Sequence, residues 1–525
     1  MNSPDPIALS RARRQYQRGE TYLASGHLDA AISAFESTLS EFAGHAPAAL
    51  QLAMLELQRG NFRRSHQLAL SAARMDIGSP AVALLLIRQL VAVGQSAMVL
   101  DICSQLPPPM WDSAQSLATV AQQLSRVGAH RMARGYARAA VERDPRHPPS
   151  LHMLAGLEVF FGETEAAVDL LERALAIHPD LVDAYWLLSR LRQPDAPARI
   201  ARIEQALTRV APGEDEAFLA YALHNELHDS RDYPRAWAAL ERACRAKRRQ
   251  LNYDPASMRS LFERLKTWSS AEVKAARGTD QRDLTPIFVV GMHRSGTTLI
   301  ERIIGGHSQV AAAGETYEFP TQLRLASGRY TSAVVDEEMV RQRVGFDYRA
   351  MGEGFLAGMR WRSREKAFVT DKLPSNFQNI GFIAQALPHA RFIHVCRDPI
   401  DTGLSNLRTL FTAACPYSYD QLEFVDYYRE YQALMQHWHQ LFPGRILDVH
   451  YEDVIADSPA AARRMAEFCG LPFEPGMVDI ERSDDPVATA SSVLVRDGIR
   501  KDRSSLWKAY AEQMRPMREA LGQEG

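Results

Sequence analysis

Five glycines are spaced evenly along the first third of the chain, and this spacing limits the fold more than any other sequence feature. Each interval is 34 residues, and the five positions are Gly26, Gly60, Gly94, Gly128 and Gly162. A period of this length is typical of stacked helix–turn–helix units, which bury their apolar faces only against their neighbours. Glycine permits the sharp turn between the two helices of a unit. The sequence therefore predicts an all-α solenoid.

Small residues recur at fixed distances from these glycines. Alanine lies five or twelve residues after a glycine in several units, at Ala31, Ala133, Ala167, Ala72, Ala140 and Ala174. Such residues let two helices approach closely, and Pro145 and Pro179 follow where each second helix should end. The pattern resembles the tetratricopeptide repeat, which implies a solenoid over residues 1–250 that binds protein partners. One more unit, out of phase by one residue, is expected from Asp232, and residues 251–284 are expected to form a bridging helix (256–277) and a linker.

The composition argues against several classes of protein. The formal net charge is −2 and the pI is about 6.8, so no global charge favours binding of nucleic acid. We expect no signal peptide, because the stretch MNSPDPIALSRARRQYQ has no apolar h-region. We also expect no transmembrane segment, because the longest apolar run, residues 81–93, is interrupted and too short to span a bilayer. The five cysteines are scattered without a C-x-x-C pair, so we expect reduced thiols, no metal site and a cytoplasmic location.

The apolar period changes after the linker. Short apolar stretches read as strands at 287–290, 367–370, 391–396 and 445–449, and they alternate with helices at 297–305, 376–387, 399–410, 422–441 and 458–469. This alternation predicts an α/β domain over residues 285–525, with a mostly parallel sheet covered on both faces. In such sheets, ligands bind at the carboxyl ends of the strands.

The first of these strands leads into a loop of the kind that binds phosphate. The stretch PIFVVGMHRSGTTLIERII, residues 286–304, reads as a strand, a turn and the start of a helix. Gly291 and Gly296 have the spacing of a nucleotide P-loop, but the usual lysine is replaced by Thr297, and Arg294 lies within the loop. The loop is therefore P-loop-like and fits a phosphate-bearing ligand other than ATP. A P-loop kinase that binds Mg-ATP is an alternative, against which the missing lysine argues.

Two other strand ends carry isolated basic residues. Arg397 follows the stretch FIHVC, and Ser405 lies about two turns along the helix that begins after it, so the two would bind a second phosphate. Lys372 follows the stretch FVTD. The plainer alternatives are ion pairs of Arg397 with Asp398 or Asp401, and of Lys372 with its neighbour Asp371.

Together these segments resemble the sulfotransferases, and in particular the bacterial tetratricopeptide-containing group related to tyrosylprotein sulfotransferases. PIFVVGMHRSGTTLIERI is similar to their 5′-phosphosulfate loop, and FIHVCRDPIDTGLSN is similar to their 3′-phosphate motif. The resemblance implies 3′-phosphoadenosine-5′-phosphosulfate (PAPS) as the sulfonyl donor, with no metal ion. It also implies a role for each matching residue.

The cofactor-binding residues implied by the resemblance lie at three strand ends. The loop residues that match the 5′-phosphosulfate site are Arg294, Ser295, Gly296, Thr297 and Thr298. Arg397 and Ser405 match the ligands of the 3′-phosphate, and Tyr451 resembles a tyrosine near the adenosine.

The resemblance also implies the catalytic residues. Glu315 matches the base that takes the proton of the acceptor hydroxyl. Lys372 and Arg294 would neutralise charge on the transferring group, and Ser483 resembles a serine that holds it. The basic residue that relatives carry late in the chain, before a tryptophan, falls on Leu506. Its candidates here are Arg500, Lys501, Arg503 and Lys508.

The implied activity is transfer of a sulfonyl group to an acceptor hydroxyl, with the solenoid recruiting the acceptor. A concave repeat surface suits a protein or peptide, such as one carrying tyrosine, and a carbohydrate, lipid or small molecule stays open as acceptor. Tyr317, Glu318, Phe319 and Pro320 follow the base where tyrosylprotein enzymes have arginines, so a preference for acidic peptides is not supported. The remaining alternative is a repeat scaffold with an inactive nucleotide-binding domain.

Overall fold

The computed structural model describes residues 6–275, 277–411, 414–480, 486–488 and 505–523. The chain divides into two compact units, and each is formed by two stretches of sequence. The first unit is Met1–Arg143 with Tyr317–Ser332, and the second is Asp144–Thr316 with Ala333–Gly525. This division falls inside the repeat array, away from the predicted domain boundaries near residues 250 and 285, which stay a prediction.

The first unit consists mainly of helix pairs joined by short turns. Its helices are α1 Pro6–Ala24, α2 Leu28–Glu41, α3 Ala46–Gln58, α4 Phe62–Ala72, α5 Pro80–Ala92, α6 Ser96–Gln105, α7 Ala114–Arg126 and α8 His130–Arg143. The glycines of the 34-residue period lie in the turns within the pairs, where Gly26 and Gly60 have φ of +75° and +85°. Ala31 and Phe35 of α2 pack with Leu52 of α3 in the core. The predicted helix–turn–helix repeat is therefore confirmed.

The repeats continue into the second unit. Their helices there are α9 Pro148–Phe161, α10 Thr164–Ile177, α11 Val182–Ser189, α12 Ala196–Leu207, α13 Glu214–Asp229 and α14 Tyr233–Arg248. Gly162 has φ of +83° in the turn between α9 and α10. In the turn between α13 and α14 the left-handed residue is Arg231, with φ of +62°. This confirms the last repeat and its shift of one residue.

The predicted single bridging helix is wrong, because the structure has two helices, α15 Pro255–Leu265 and α16 Ser270–Ala275. The chain between these two helices begins a new helix near Ser269. The Ser269 backbone N–H donates to Glu272 Oε2 at 2.8 Å, and the Glu272 N–H donates back to Ser269 Oγ at 3.3 Å. This reciprocal pair is a capping box, which fixes the first residue of a helix.

A parallel five-stranded sheet forms the centre of the second unit. Its strands are β1 Thr285–Gly291, β2 Val310–Ala311, β3 Phe368–Asp371, β4 Arg391–Cys396 and β5 Ile446–His450. They lie in the order β2-β3-β1-β4-β5, and every neighbouring pair is parallel. The predicted α/β class is confirmed. The sequence missed β2, because two residues are too few for a strand pattern to show.

A series of helices follows β1 along the chain. In chain order they are α17 Thr297–Gly305, α18 Glu318–Ser327, α19 Glu337–Gln342, α20 Tyr348–Ser363, α21 Ile380–Ala386, α22 Pro399–Leu407, α23 Gln421–Leu441, α24 Tyr451–Ala456, α25 Ser458–Cys469 and α26 Arg515–Ala520. On one face, Val289 of β1 packs in a core with Ile300 of α17 and Met465 of α25. On the other face, the ring of Phe288 lies 5.4 Å from that of Phe355 in α20. None of the described helices has the length and apolar character needed to cross a membrane.

One of these helices, α18, belongs to the first unit. Arg63 of α4 donates hydrogen bonds to the carbonyl oxygens of Leu325 and Ala326, at 2.9 and 2.7 Å. A Cβ added to Gly94 would lie only 2.5 Å from Oγ1 of Thr321 in α18. Helix α18 therefore packs on the early repeats, within the first unit.

Candidate active site

The carboxyl ends of four strands place the predicted residues along one edge of the sheet. Gly291 ends β1, Lys372 follows β3, Arg397 follows β4 and Tyr451 follows β5. Parallel strands end at a common edge, so residues far apart in sequence become neighbours there. This edge is the candidate active site.

The loop after β1 has an unusual backbone. Arg294 has φ of +70°, in the left-handed region, and Gly296 has φ of +103° and caps the start of α17. For a residue other than glycine this conformation costs about 1–2 kcal/mol. Residues held in such conformations concentrate at functional sites, where surrounding contacts stabilise them.

Both loop glycines are also required by close packing. A Cβ added to Gly291 would lie 2.7 Å from the carbonyl oxygen of Val395, and one added to Gly296 would lie 2.4 Å from Cδ2 of Tyr451. The ring of Tyr451, which is buried, therefore lies directly against the loop. No larger residue fits at either position without moving β4 or this ring.

Three of the predicted phosphate ligands contact one another. Arg294 Nε donates to Ser405 Oγ at 3.1 Å, and Arg397 Nη1 donates to the carbonyl oxygen of Arg294 at 3.3 Å. The guanidinium of Arg397 also lies over the ring of Tyr451, 4.5 Å from its centre. The fold thus joins the loop after β1 to the motif after β4, more than a hundred residues later.

The acids near Arg397 have other partners. The Asp398 carboxylate caps α22 by accepting from the Asp401 N–H at 2.9 Å. The Asp401 carboxylate accepts from the backbone N–H of Ser505 at 2.9 Å. Both acids are therefore engaged in organising the chain around α22.

A buried hydroxyl in the loop fits an anionic ligand. Ser295 Oγ is buried and has no hydrogen-bond partner within the part of the chain that the structure describes, and the same holds for Thr402 Oγ1. Both side chains line a cavity of about 540 Å³ with Arg397. An unsatisfied buried hydroxyl costs free energy, and a ligand oxygen would remove that cost. Thr297 and Thr298 are buried in the first turn of α17, where the helix N-terminus favours an anion.

Positive charge accumulates around Arg294. Burial, followed by the charges of Arg190, Arg397 and Arg408, lowers the pKa of Arg294 to about 10, and Glu315 acts in the opposite direction. The arginine stays protonated at neutral pH, and a bound anion would relieve the repulsion. Arg190 ends a repeat helix, α11, so the sequence reasoning about strand ends missed it, as it missed Arg408.

Glu315 and Lys372 form an ion pair at the same edge. Lys372 Nζ donates to Glu315 Oε1 at 2.6 Å. The lysine side chain is fully buried, whereas that of the glutamate is 41% exposed. Lys372 thus has Glu315 as a partner, while the carboxylate of its sequence neighbour Asp371 accepts a hydrogen bond from Thr316 Oγ1. The arrangement places a carboxylate oxygen within reach of solvent beside a fixed ammonium group.

Buried polar side chains hold the loop that carries Glu315. Glu301 Oε1 accepts from the Gly314 N–H at 2.8 Å and from Thr370 Oγ1 at 2.7 Å. On the other side of Glu315, Thr316 Oγ1 donates to Asp371 Oδ2 at 2.8 Å. The sequence analysis missed these positioning residues. A signal was available for Glu301, because a charged residue within the apolar helix LIERII needs a buried partner.

His293 lies partly buried in the same region. Burial lowers its pKa to about 4, with Lys372 and Arg294 acting in the same direction and Glu315 against them. Its Nδ1 lies 3.1 Å from the hydroxyl of Tyr417. The imidazole is therefore neutral at physiological pH and adds no charge to the site. The sequence analysis assigned it no role.

Some of the predicted residues lie outside the described chain. These are Ser483 and three of the four candidates for the late basic residue, namely Arg500, Lys501 and Arg503. The fourth candidate, Lys508, is exposed.

Comparisons with known proteins agree with this architecture. Residues 286–475 match the sulfotransferase family. An uncharacterized protein of Aquifex aeolicus is 30% identical over 397 residues, which is 74% of this chain and 52% of that protein. Protein-tyrosine sulfotransferase 1 of Danio rerio is 25% identical over 218 residues, 38% of this chain and 57% of that protein. Among solved structures, a tetratricopeptide repeat protein from Parabacteroides merdae has a TM-score of 0.36 and is 12% identical, covering 47% of this chain and 94% of that one.

The fold defines a class of protein in which tetratricopeptide-type repeats precede an α/β domain with a P-loop-like loop. Over residues 286–475 this α/β domain is similar to the sulfotransferase family. The chain spans about half the length of the curated relatives it matches.

Proposed function

We propose that this protein transfers a sulfonyl group from PAPS to the hydroxyl group of an acceptor. The proposal rests on one observation, which is that the loop after β1 and the motif after β4 contact each other at the sheet edge. Arg294 of the loop after β1 contacts Ser405 of α22, and Arg397 contacts the backbone of Arg294. A ligand with two separate phosphate groups is the kind of molecule that such a double site suits.

The residues present fit PAPS on three grounds. The buried Ser295 hydroxyl has no hydrogen-bond partner among the described residues. Gly291 and Gly296 add no side chains to the loop, and the arginines around Arg294 repel its charge. In this proposal the loop from Arg294 to Thr298 holds the 5′-phosphosulfate. Arg397 and Ser405 hold the 3′-phosphate, with Tyr451 beside the adenosine.

PAPS, when bound, supplies an activated sulfonyl group and a phosphate leaving group. Positioning and charge stabilisation by the protein then dominate the rate, as in phosphoryl transfer. Glu315 accepts the proton of the acceptor hydroxyl, because its carboxylate is the exposed member of the ion pair with Lys372. Lys372 and Arg294 stabilise the negative charge that develops on the oxygens around sulfur.

The acceptor that we propose to test first is a tyrosine side chain in a peptide. The zebrafish relative is a protein-tyrosine sulfotransferase, and the repeats of this chain are suited to binding an extended peptide. Carbohydrate, lipid and small-molecule hydroxyls form the comparison set of the same screen.

The first test is calorimetric binding of adenosine-3′,5′-bisphosphate, the product left after transfer, with Mg-ATP measured in parallel. We expect the bisphosphate to bind in the micromolar range or tighter and to lose at least tenfold in affinity in Arg397→Ala. The matched control is Arg391→Ala, which removes an arginine from the opposite end of the same strand. Its affinity should equal that of the wild type.

Each other result has a defined meaning. Preference for Mg-ATP would replace the proposal with a kinase. Binding of neither nucleotide would leave a repeat scaffold with an inactive domain. If the bisphosphate binds as expected, transfer of labelled sulfonyl from PAPS to a tyrosine peptide then tests the acceptor separately from the donor.

A further inference from the structure

Three metal-ligating side chains meet in the wall of the cavity that Ser295 and Arg397 also line. They are His394 of β4, His439 of α23 and Asp448 of β5. Asp448 Oδ1 lies 2.7 Å from His394 Nδ1 and 2.8 Å from His439 Nε2. All three ligand atoms lie within 4.8 Å of one another. Two strands and a long helix hold them, so the group is positioned by rigid elements.

We propose that His394, His439 and Asp448 form a binding site for a divalent transition-metal ion of the zinc type. Two imidazoles and one carboxylate are a common ligand set for zinc that leaves a fourth position open. Magnesium and calcium prefer oxygen ligands alone, so the two histidines argue against them. No metal site was predicted from the sequence, because the cysteines are scattered without a C-x-x-C pair and the spacing of the histidines is not that of a metal site.

The distances are close to those that an ion requires. In a tetrahedral zinc site, bonds of about 2.1 Å place neighbouring ligand atoms about 3.4 Å apart. The two contacts of Asp448 Oδ1 are therefore somewhat shorter than an ion needs. The side chains of His439 and Asp448, which are 36% and 41% exposed, can supply the movement.

The neighbouring groups suit such a site. Nε2 of His394 is in close contact with the hydroxyl of Tyr431, which is buried. A partner of this kind fixes the ring and leaves Nδ1 to bind the ion. The open position faces the cavity, whose wall includes all three ligands and Cys396. Water or a ligand oxygen can therefore reach the ion.

The competing explanation is a hydrogen-bonded cluster in which one carboxylate accepts from two imidazoles. The two explanations differ in whether the free protein takes up a metal. The test uses the full chain after dialysis against a chelator, with zinc titrated by calorimetry and cobalt by visible absorption. Magnesium is titrated in parallel. These measurements do not depend on sulfonyl transfer, so failure of the proposed enzyme activity would leave them interpretable.

We expect one equivalent of zinc or cobalt to bind to the wild type, with the intense visible absorption of tetrahedral cobalt, and no comparable binding of magnesium. His439→Ala should weaken the affinity at least tenfold, since outer-shell losses alone cost 10–100-fold. The matched control is His437→Ala, two residues away on the same helix and outside the cluster. It should bind the ion as the wild type does.

Two results would contradict the proposed metal site. One is absence of one-to-one binding in the wild type. The other is equal affinity in His439→Ala and the wild type, which would leave the hydrogen-bonded cluster. Asp448→Asn gives a second variant at a different ligand, and its thermal unfolding without metal shows whether it is folded before its affinity is compared.

Discussion

The turns of the repeats and the loop after β1 both use glycines with positive φ, but the space around these glycines differs. A Cβ added to Gly26, Gly60 or Gly128 would meet no atom within 4 Å. A Cβ added to Gly291 or Gly296 would come within 2.7 Å of another part of the chain. These three repeat turns therefore need only a backbone conformation, whereas the loop, like the repeat turn at Gly94, needs that conformation and the absence of a side chain.

The same contrast appears in the ion pairs. In the repeats, Arg235 lies 2.6 Å from Glu204, and both side chains are largely exposed. At the sheet edge, Lys372 lies 2.6 Å from Glu315, but the lysine is fully buried. An exposed pair contributes about 0–1 kcal/mol, whereas removing one partner of a buried charge leaves the other uncompensated. The same distance of 2.6 Å between the charged atoms therefore has different consequences for stability in the repeats and at the sheet edge.

Substitution of Glu315 should have the largest effect. In Glu315→Gln we expect the rate of sulfonyl transfer to fall by about 10²–10⁴-fold, because a general base is lost while the shape of the side chain is kept. Binding of adenosine-3′,5′-bisphosphate should be unchanged. The measurements are transfer from labelled PAPS and calorimetry.

The matched control for Glu315 is Glu204→Gln in the exposed pair of the repeats, which should keep the wild-type rate. A variant of Glu315 that retains more than a tenth of the rate would remove this residue as the base.

The two kinds of glycine can be compared directly with Gly296→Ala and Gly128→Ala. The first places a methyl group against Tyr451, so we expect at least a tenfold loss of bisphosphate affinity and destabilisation of about 1–3 kcal/mol. The second meets only open space, and the strained φ should cost about 1–2 kcal/mol without changing affinity. Calorimetry and urea unfolding measure both. Equal affinity losses in the two variants would contradict the distinction.

A smaller effect is expected at Ser405. Its hydroxyl accepts from Arg294, and in the proposed site it also contacts a phosphate. Ser405→Ala should weaken bisphosphate binding about tenfold, as expected for about 1.5 kcal/mol from a hydrogen bond to a charged group. Ser104→Ala, which removes an exposed hydroxyl from a repeat helix, serves as the control and should leave binding unchanged. An unaltered affinity in the Ser405 variant would remove this residue from the phosphate site.

The smallest effect is expected from His130, a partly buried histidine in helix α8 of the repeats. Burial lowers the pKa of His130 to about 4 from its usual 6.5. The stability that its neutral form contributes is present above pH 6.5 and is lost as the pH falls toward 4, because only the unfolded state gains the proton in that interval. His130→Gln should therefore reduce the loss of stability between pH 6.5 and 4.

Urea unfolding at several pH values measures this change. The control is His27→Gln, which replaces an exposed histidine of the same unit and should keep the wild-type pH dependence. If His130→Gln loses stability toward pH 4 as steeply as the wild type, the histidine is not a source of the acid sensitivity.

Much of the fold could be predicted from the sequence because its signals are local. The glycine period gives the repeats, and the apolar stretches give four of the five strands. The exceptions have physical reasons. The strand Val310–Ala311 is too short for a pattern, and the capping box of Ser269 and Glu272 divides the bridging helix.

The candidate site could be predicted only in part. Arg294, Arg397, Glu315 and Lys372 follow strand ends or a recognisable motif, and the structure brings them to one edge. Glu301 lies within a helix and Arg190 follows the end of one, and nothing in the local pattern shows what either side chain faces. The cluster of His394, His439 and Asp448 was not predicted either, because its three members lie in different strands and a helix and meet only in the folded chain.

The sequence by itself determined the two architectures and the order in which they occur. Helical and strand periods reflect contacts between residues close in the chain, so they can be read without a structure. Only the tertiary structure decided which residues meet: the Arg294–Ser405 contact, the pairing of Lys372 with Glu315, and the packing of α18 on the early repeats. These contacts depend on the order of the strands in the sheet and on the packing of distant segments, which no local period records.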